Sequence, residues 1–197
     1  MRFSLSAAAA LAFSTLASCA PLGEAPIEER AARLQPWQLT ALIAFSPSGR
    51  PGSYPWLTIT ANLTDPNELI LGTAPDDNST VSVPAGNTAP NCRAKWLSGE
   101  NPHGRSWPCD PTGDGYWTMK IPKTEGFSAN NFTAVFTRVA EVLYHGSSYR
   151  KEYTASKKFF LGSDGNLSGV CGGSGVCSWG LKEGLAPYPI QQREVTN

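Results

Sequence analysis

From Trp37 onward the chain alternates apolar and polar residues with a period of two, and that period sets the fold class. In Trp37-Gln-Leu39-Thr-Ala41-Leu-Ile43-Ala-Phe45 the odd positions form one apolar face. Successive side chains point to opposite faces of a strand, so such a pattern buries one face of a sheet. It returns at Leu57, Ile59, Ala61 and Leu63, with Thr58, Thr60 and Asn62 on the opposite face. Shorter strands are expected at 68–73, 80–83, 92–97, 116–121 and 177–181, separated by turn formers such as Ala74-Pro75-Asp76-Asp77-Asn78. Residues 132–144 fit two periods, because Phe132, Val135, Phe136, Val139 and Leu143 also suit a helix. Their Val and Thr content favours a strand, with His145-Gly146-Ser147-Ser148 turning into a second strand over 149–161. The expected fold is all-β, a compact antiparallel β-barrel or sandwich. The 19 Gly, 16 Pro and low charge fit a loop-rich extracellular domain of that kind.

Compartment follows from the first twenty residues. Arg2 precedes an uncharged, Ala- and Leu-rich stretch from Phe3 to Leu16, which ends in the small residues Ala17, Ser18 and Ala20. This is the form of a secretory signal, too short and too diluted with Ser and Ala to serve as a membrane span. A rival reading takes Leu16-Ala17-Ser18-Cys19 as a bacterial lipoprotein box with Cys19 as lipid anchor. Four N-glycosylation sequons, at Asn62, Asn78, Asn131 and Asn166, favour eukaryotic export. The mature protein is expected to be extracellular and not membrane-bound.

Export changes the meaning of cysteine. Beyond Cys19 the chain holds Cys92, Cys109, Cys171 and Cys177, an even set bound for an oxidising compartment. Three pairings are open. The sequential one, Cys92 with Cys109 and Cys171 with Cys177, is preferred because each pair is local. The first closes a loop of 16 intervening residues, a staple of about 3 kcal/mol. The second spans Gly172-Gly173-Ser174-Gly175-Val176, whose glycines let so short a ring close. Zinc is the rival use of four cysteines, and oxidation during export disfavours it.

The resulting organisation is a signal peptide at 1–20, a mobile arm at 21–36, one β domain at 37–186 and a proline-punctuated tail at 187–197. Charge is balanced, with 16 Lys plus Arg against 16 Asp plus Glu, so nothing steers the chain to nucleic acid.

A search for chemistry returns little. The two histidines, His103 and His145, fall in turns and read as solvated side chains. No Gly-x-Ser-x-Gly elbow, calcium loop or metal-spaced histidine pair is present, so no metal or other cofactor is expected. Copper-dependent polysaccharide oxidation needs a histidine at the mature N-terminus, and the first here is His103. Asp110 with Asp114, or Glu141 with Glu152, could pair as in a glycosidase, but solvated turn aspartates and strand-face glutamates are the preferred reading. Arg138, Glu141 and His145 cluster in sequence but do not share one strand face. No catalytic residue is assigned. Among the aromatics, Trp56 is out of phase with the inward residues of its strand; with Trp107 it is a candidate contact residue for a partner or, in the alternative reading as a secreted hydrolase or carbohydrate-binding module, for a sugar ring. Arg150, Lys151, Lys157 and Lys158 read as a solvated basic face.

The order of these segments carries a resemblance. Trp37-Gln-Leu-Thr-Ala-Leu, a Gly/Pro/Tyr loop and Leu57-Thr-Ile-Thr come first. The Cys92 segment, Arg105-Ser106-Trp107-Pro108-Cys109 and a late Cys171…Val176-Cys177 pair follow. Over about 37–182 the chain resembles the Alternaria major-allergen-like family of small secreted fungal proteins. The resemblance implies a compact antiparallel β-barrel, two sequential disulfides and no catalytic residues to carry over. It implies a non-enzymatic effector or allergen-like role, in which the surface binds a host protein or a small apolar ligand. The family's best-known member is a disulfide-linked dimer. This chain departs from that, having no spare cysteine after Cys19, and its late ring of Gly172–Val176 is tighter than the family's usual loop.

Overall fold

The computed structural model describes residues 34–196. The expected signal at 1–20, its Cys19 and most of the arm at 21–36 lie outside the described residues. Thirteen strands follow in order. They are β1 (Trp37–Ser46), β2 (Trp56–Asp65), β3 (Leu69–Thr73), β4 (Thr80–Val83), β5 (Asn87–Leu97), β6 (Ser106–Pro108) and β7 (Gly115–Lys120). Then come β8 (Asn131–Tyr144), β9 (Ser147–Phe160), β10 (Leu167–Cys171), β11 (Cys177–Leu181), β12 (Tyr188–Ile190) and β13 (Gln192–Glu194). No helix occurs among the described residues, and none is long and apolar enough to cross a membrane.

The all-β expectation holds, in its sandwich form. One sheet has the order β10-β11-β1-β2-β5, with β12 also on β1; the other runs β13-β9-β8-β7-β6, and β3-β4 is a separate hairpin. All strand ladders between them are antiparallel. Both large sheets are open, so the barrel alternative gives way. Where β5 and β6 approach, the link is not a ladder but the Cys92–Cys109 disulfide and the Asp110 amide donating to Pro90 O at 3.0 Å. The second disulfide joins Cys171 and Cys177, which face each other across the β10–β11 pair. Both pairs are the sequential ones.

A single core lies between the inner faces. Leu39, Ile59, Leu63, Ala94 and Trp96 of the first sheet meet Trp117, Met119, Phe132, Phe136 and Phe159 of the second, all buried. Residues 131–144 form a strand, and His145 and Gly146, both at positive φ, turn it into β9. The long β8–β9 hairpin outruns the first sheet, and β3–β4 packs against its far half. There Gly72 lies so close to the Tyr149 ring that a Cβ would sit 3.2 Å from it. Gly115 is required at the start of β7, since at φ +111 its Cβ would lie 1.9 Å from Val139 O.

Three readings of the sequence need correction. The apolar face of β1 is not the run of odd positions. Thr40 is an extra residue between the Leu39–Leu63 and Ala41–Asn62 pairs, a bulge that inverts the phase. Trp37 and Leu39 point inward before it, Leu42 and Ala44 after it, and Ile43 is turned out to 54% exposure. The segment after Pro187 is also no free tail. β12 adds to β1 and β13 to β9, so one short segment serves both sheets. At the other end Leu34 packs on the core, and the Gln35 backbone bonds with Asn67, so the ordered domain starts ahead of Trp37.

Candidate functional site

The bulge in β1 creates the most distinctive surface. Beyond it, the outward positions of β1 and β2 lie in rows, Ile43 beside Thr60 and Phe45 beside Thr58. β5 continues both rows, with Arg93 beside Thr60 and Lys95 beside Thr58. On the far side of β1, Gly180 and Ser178 of β11 present almost no bulk. A second bulge, between the Ala61–Cys92 and Leu63–Ala89 pairs, leaves Asn91 at φ +51 with its amide on Asn62 Oδ1 at 2.9 Å. The loop ahead of β2 brings Tyr54 over Phe45, ring centroids 6.0 Å apart. The result is a groove of about 470 Å³ lined by Ile43, Phe45, Tyr54, Thr58, Thr60, Asn91 and Arg93.

The aromatic candidates divide. Trp56 stands at the outward end of β2, half-buried, with Lys95 Nζ 4.5 Å from its ring centroid. Trp107 packs against the core from β6 and belongs to the fold rather than to the groove. The odd-position pattern turns Ile43 and Phe45 inward because it does not register the β1 bulge, and Arg93 on β5 stands in no motif that would single it out.

The carboxylates proposed as pairs each have other partners. Asp110 accepts from Asn91, Glu141 from Ser148 and Glu152 from Arg150. Asp114 accepts from Asn87 and from Arg138. Arg138 is buried, held at 2.5 Å by the fully buried Asp65 and at 3.1 Å by Asp114. Asn87 in turn accepts from Trp117 Nε1 at 2.7 Å. This network bridges the two sheets and engages Arg138 in the interior, whereas Glu141 and His145 bond to Ser148 and Asp76. Arg150, Lys151, Lys157 and Lys158 do not act as one patch. Lys151 pairs with Glu194, Lys157 lies over Tyr188 and Lys158 over Phe160.

Neither histidine is simply solvated. His103 is half-buried, its Nδ1 3.1 Å from Ile121 O and its ring edge-on to Phe127. His145 stacks on Tyr144 and meets Asp76 at 2.5 Å. Asp77 lies beside them and accepts from Tyr144, while the Ser79 hydroxyl and amide hold its carboxyl below the usual range. Asp76, Asp77 and His145 each place a donor atom within 4.8 Å of the others. All are exposed, and these contacts tie the β3–β4 turn to the β8–β9 turn. A separation of about seventy positions in sequence hides the grouping from any local motif.

The sequons differ in what surrounds them. Asn78 is exposed in the β3–β4 turn, and Asn62 is half-buried on the groove's border. Asn131 donates to Gly126 O. Asn166 is buried, accepting from the Phe160 amide and donating to Lys158 O, so its side chain is a structural clamp rather than a glycan acceptor.

Compared with known proteins, the chain matches no family model, no curated protein and no solved structure.

Proposed function

We propose that the chain is a secreted, non-enzymatic binding protein of the fungal effector or allergen-like type, engaging a host protein or small apolar ligand through the outer face of β1, β2 and β5. One observation carries the reading: Ile43 and Tyr54 stay 54% and 50% exposed beside Phe45 in a groove of about 470 Å³. Apolar side chains gathered on a polar-rimmed face mark interaction sites more often than isolated ones do. The groove's size lies in the range of small-ligand sites. Two disulfides suit an oxidising compartment, consistent with export. The resemblance of segment order and cysteine spacing supports the effector-like role.

Saturation binding of the labelled secreted protein to intact plant cells tests the reading, with Ile43→Asp as the comparison. Saturable binding that Ile43→Asp abolishes supports it. Binding that is absent, or that Ile43→Asp retains, removes this face from the function.

A further inference from the structure

We propose that the groove on β1, β2 and β5 receives an anionic protein segment, an extended stretch with carboxylates flanking an apolar side chain. The inference rests on the binding role above and adds the partner's chemistry. Arg93 and Lys95 are two positions apart on β5, so their side chains leave the same face about 7 Å apart. Across from them stand Thr58, Thr60, Ile43 and Phe45, none of them charged. Among the described residues no carboxylate lies within 4.0 Å of either cation. Asp110, at the border, is bonded to Asn91.

Lys95 is also held in place. Its Nζ lies 4.5 Å from the Trp56 ring centroid and 6.0 Å from that of Tyr54. Aromatic faces attract a cation, so the ammonium stays beside the groove and loses less freedom when an anion arrives. An unpaired, positioned cation next to an exposed aliphatic floor matches a ligand with a negative charge and an apolar body.

The same geometry decides between a protein segment and an acidic polysaccharide. Sugars stack on free, flat rings, and here the Trp56 ring lies under Lys95 while Phe45 and Tyr54 meet at 64°. Ile43, branched and outward, suits an aliphatic or aromatic side chain better than a sugar ring. Alternation along an extended peptide places successive same-side residues about 7 Å apart, the spacing of Arg93 and Lys95.

The test uses the secreted protein with fluorescein-labelled Gly-Glu-Leu-Glu-Leu-Glu-Gly, its Gln-for-Glu counterpart and labelled oligogalacturonate. Fluorescence anisotropy at low salt is expected to show the acidic peptide binding at least tenfold more tightly than the other two probes. Raising salt to about 0.5 M is expected to weaken it several-fold. Arg93→Gln, Lys95→Gln and Ile43→Ser are each expected to weaken it three- to tenfold. Lys120→Gln, on the outer face of the other sheet, is expected to leave it unchanged. Tryptophan emission and far-UV circular dichroism establish that each variant is folded. Equal binding of the neutral peptide, preference for oligogalacturonate, absence of peptide binding, or folded Arg93 and Lys95 variants that bind like the parent would each overturn the proposal. If the acidic peptide fails while Ile43→Asp still abolishes cell binding, the binding face stands and its anionic partner does not. If Ile43→Asp leaves cell binding intact, the role of the face itself is lost.

Discussion

Arg138 reaches across the core from β8 to Asp65 at the end of β2 and to Asp114 just ahead of β7. Its guanidinium also lies 5.6 Å from the Trp117 ring centroid. Asp65 has further donors in Asn67 and Gln192, which satisfy the remaining capacity of a carboxylate with no solvent contact. Removing one partner of such a buried pair strands the other charge, which destabilises by about 3–5 kcal/mol. Arg138→Leu is therefore expected to lower the urea midpoint sharply, whereas Arg105→Leu, half-exposed beside Glu100, is expected to shift stability by less than about 1 kcal/mol. Comparable midpoints for the two variants would remove the network from the account of stability. Tyr153 supplies a pH counterpart. Burial pushes its phenol up to about 12, with the Glu194 carboxylate adding to the rise. A raised folded-state value means the stability is complete below the unfolded value near 10 and declines as pH climbs toward 12. Melting temperatures measured from pH 9 to 11.5 should fall more steeply for the parent than for Tyr153→Phe; parallel profiles would show that Tyr153 does not couple to folding. Neither residue stands out in sequence. Arg138 looks like one of several strand-face charges until Asp65, 73 positions away, is placed beside it.

At the scale of elements, the strands were largely legible, the inward faces of β2 and β7 included, but the phase of β1 was not. Val and Thr content sufficed to make 131–144 a strand despite its helical spacing, because the facing strand β9 offers a full-length partner. The cysteine pairs were legible for a similar reason, each lying within one local loop. A bulge leaves no such trace. It inserts one residue, and from Leu42 onward every side chain of β1 faces the opposite way from the odd-position pattern. The consequence separates two neighbours. Leu42→Ala is expected to destabilise by about 2–5 kcal/mol, the range for a buried Leu. Ile43→Thr is expected to change stability by about 0.5 kcal/mol or less, as a surface exchange does. Denaturant curves of the two variants decide the matter. The reverse order of stability would restore the odd face and, with it, close the groove that Ile43 lines.

Taken as a whole, the sandwich is closed by its last strands rather than by its longest ones. β12 lies on β1 with Ile190 opposite Trp37, and two positions on, β13 lies on β9 with Gln192 opposite Ala155. Ile190 and Gln192 are both buried, and Gln192 Nε2 donates to Gln35 O at 2.8 Å, tying the end of the chain to its first described residues. Pro187 and Pro189 disguise this in sequence, since proline ordinarily punctuates a tail and is absent from central strands. The disguise works because β12 pairs on one side only, with β1, where a missing donor is tolerated. Its partners lie about 150 residues earlier, beyond the reach of any pattern read in a local window. Removing 187–197 strips Ile190 from the core, about 2–3 kcal/mol in apolar burial alone, and uncovers the Trp37 it covers. Truncation after Ala186 is accordingly expected to lower the urea midpoint by more than Ile190→Ala does, with tryptophan emission reporting the exposure of Trp37 and Trp117, whose centroids stand 4.6 Å apart. A truncated chain that keeps the parent's midpoint and emission would mean that the two short strands decorate the sandwich and do not close it.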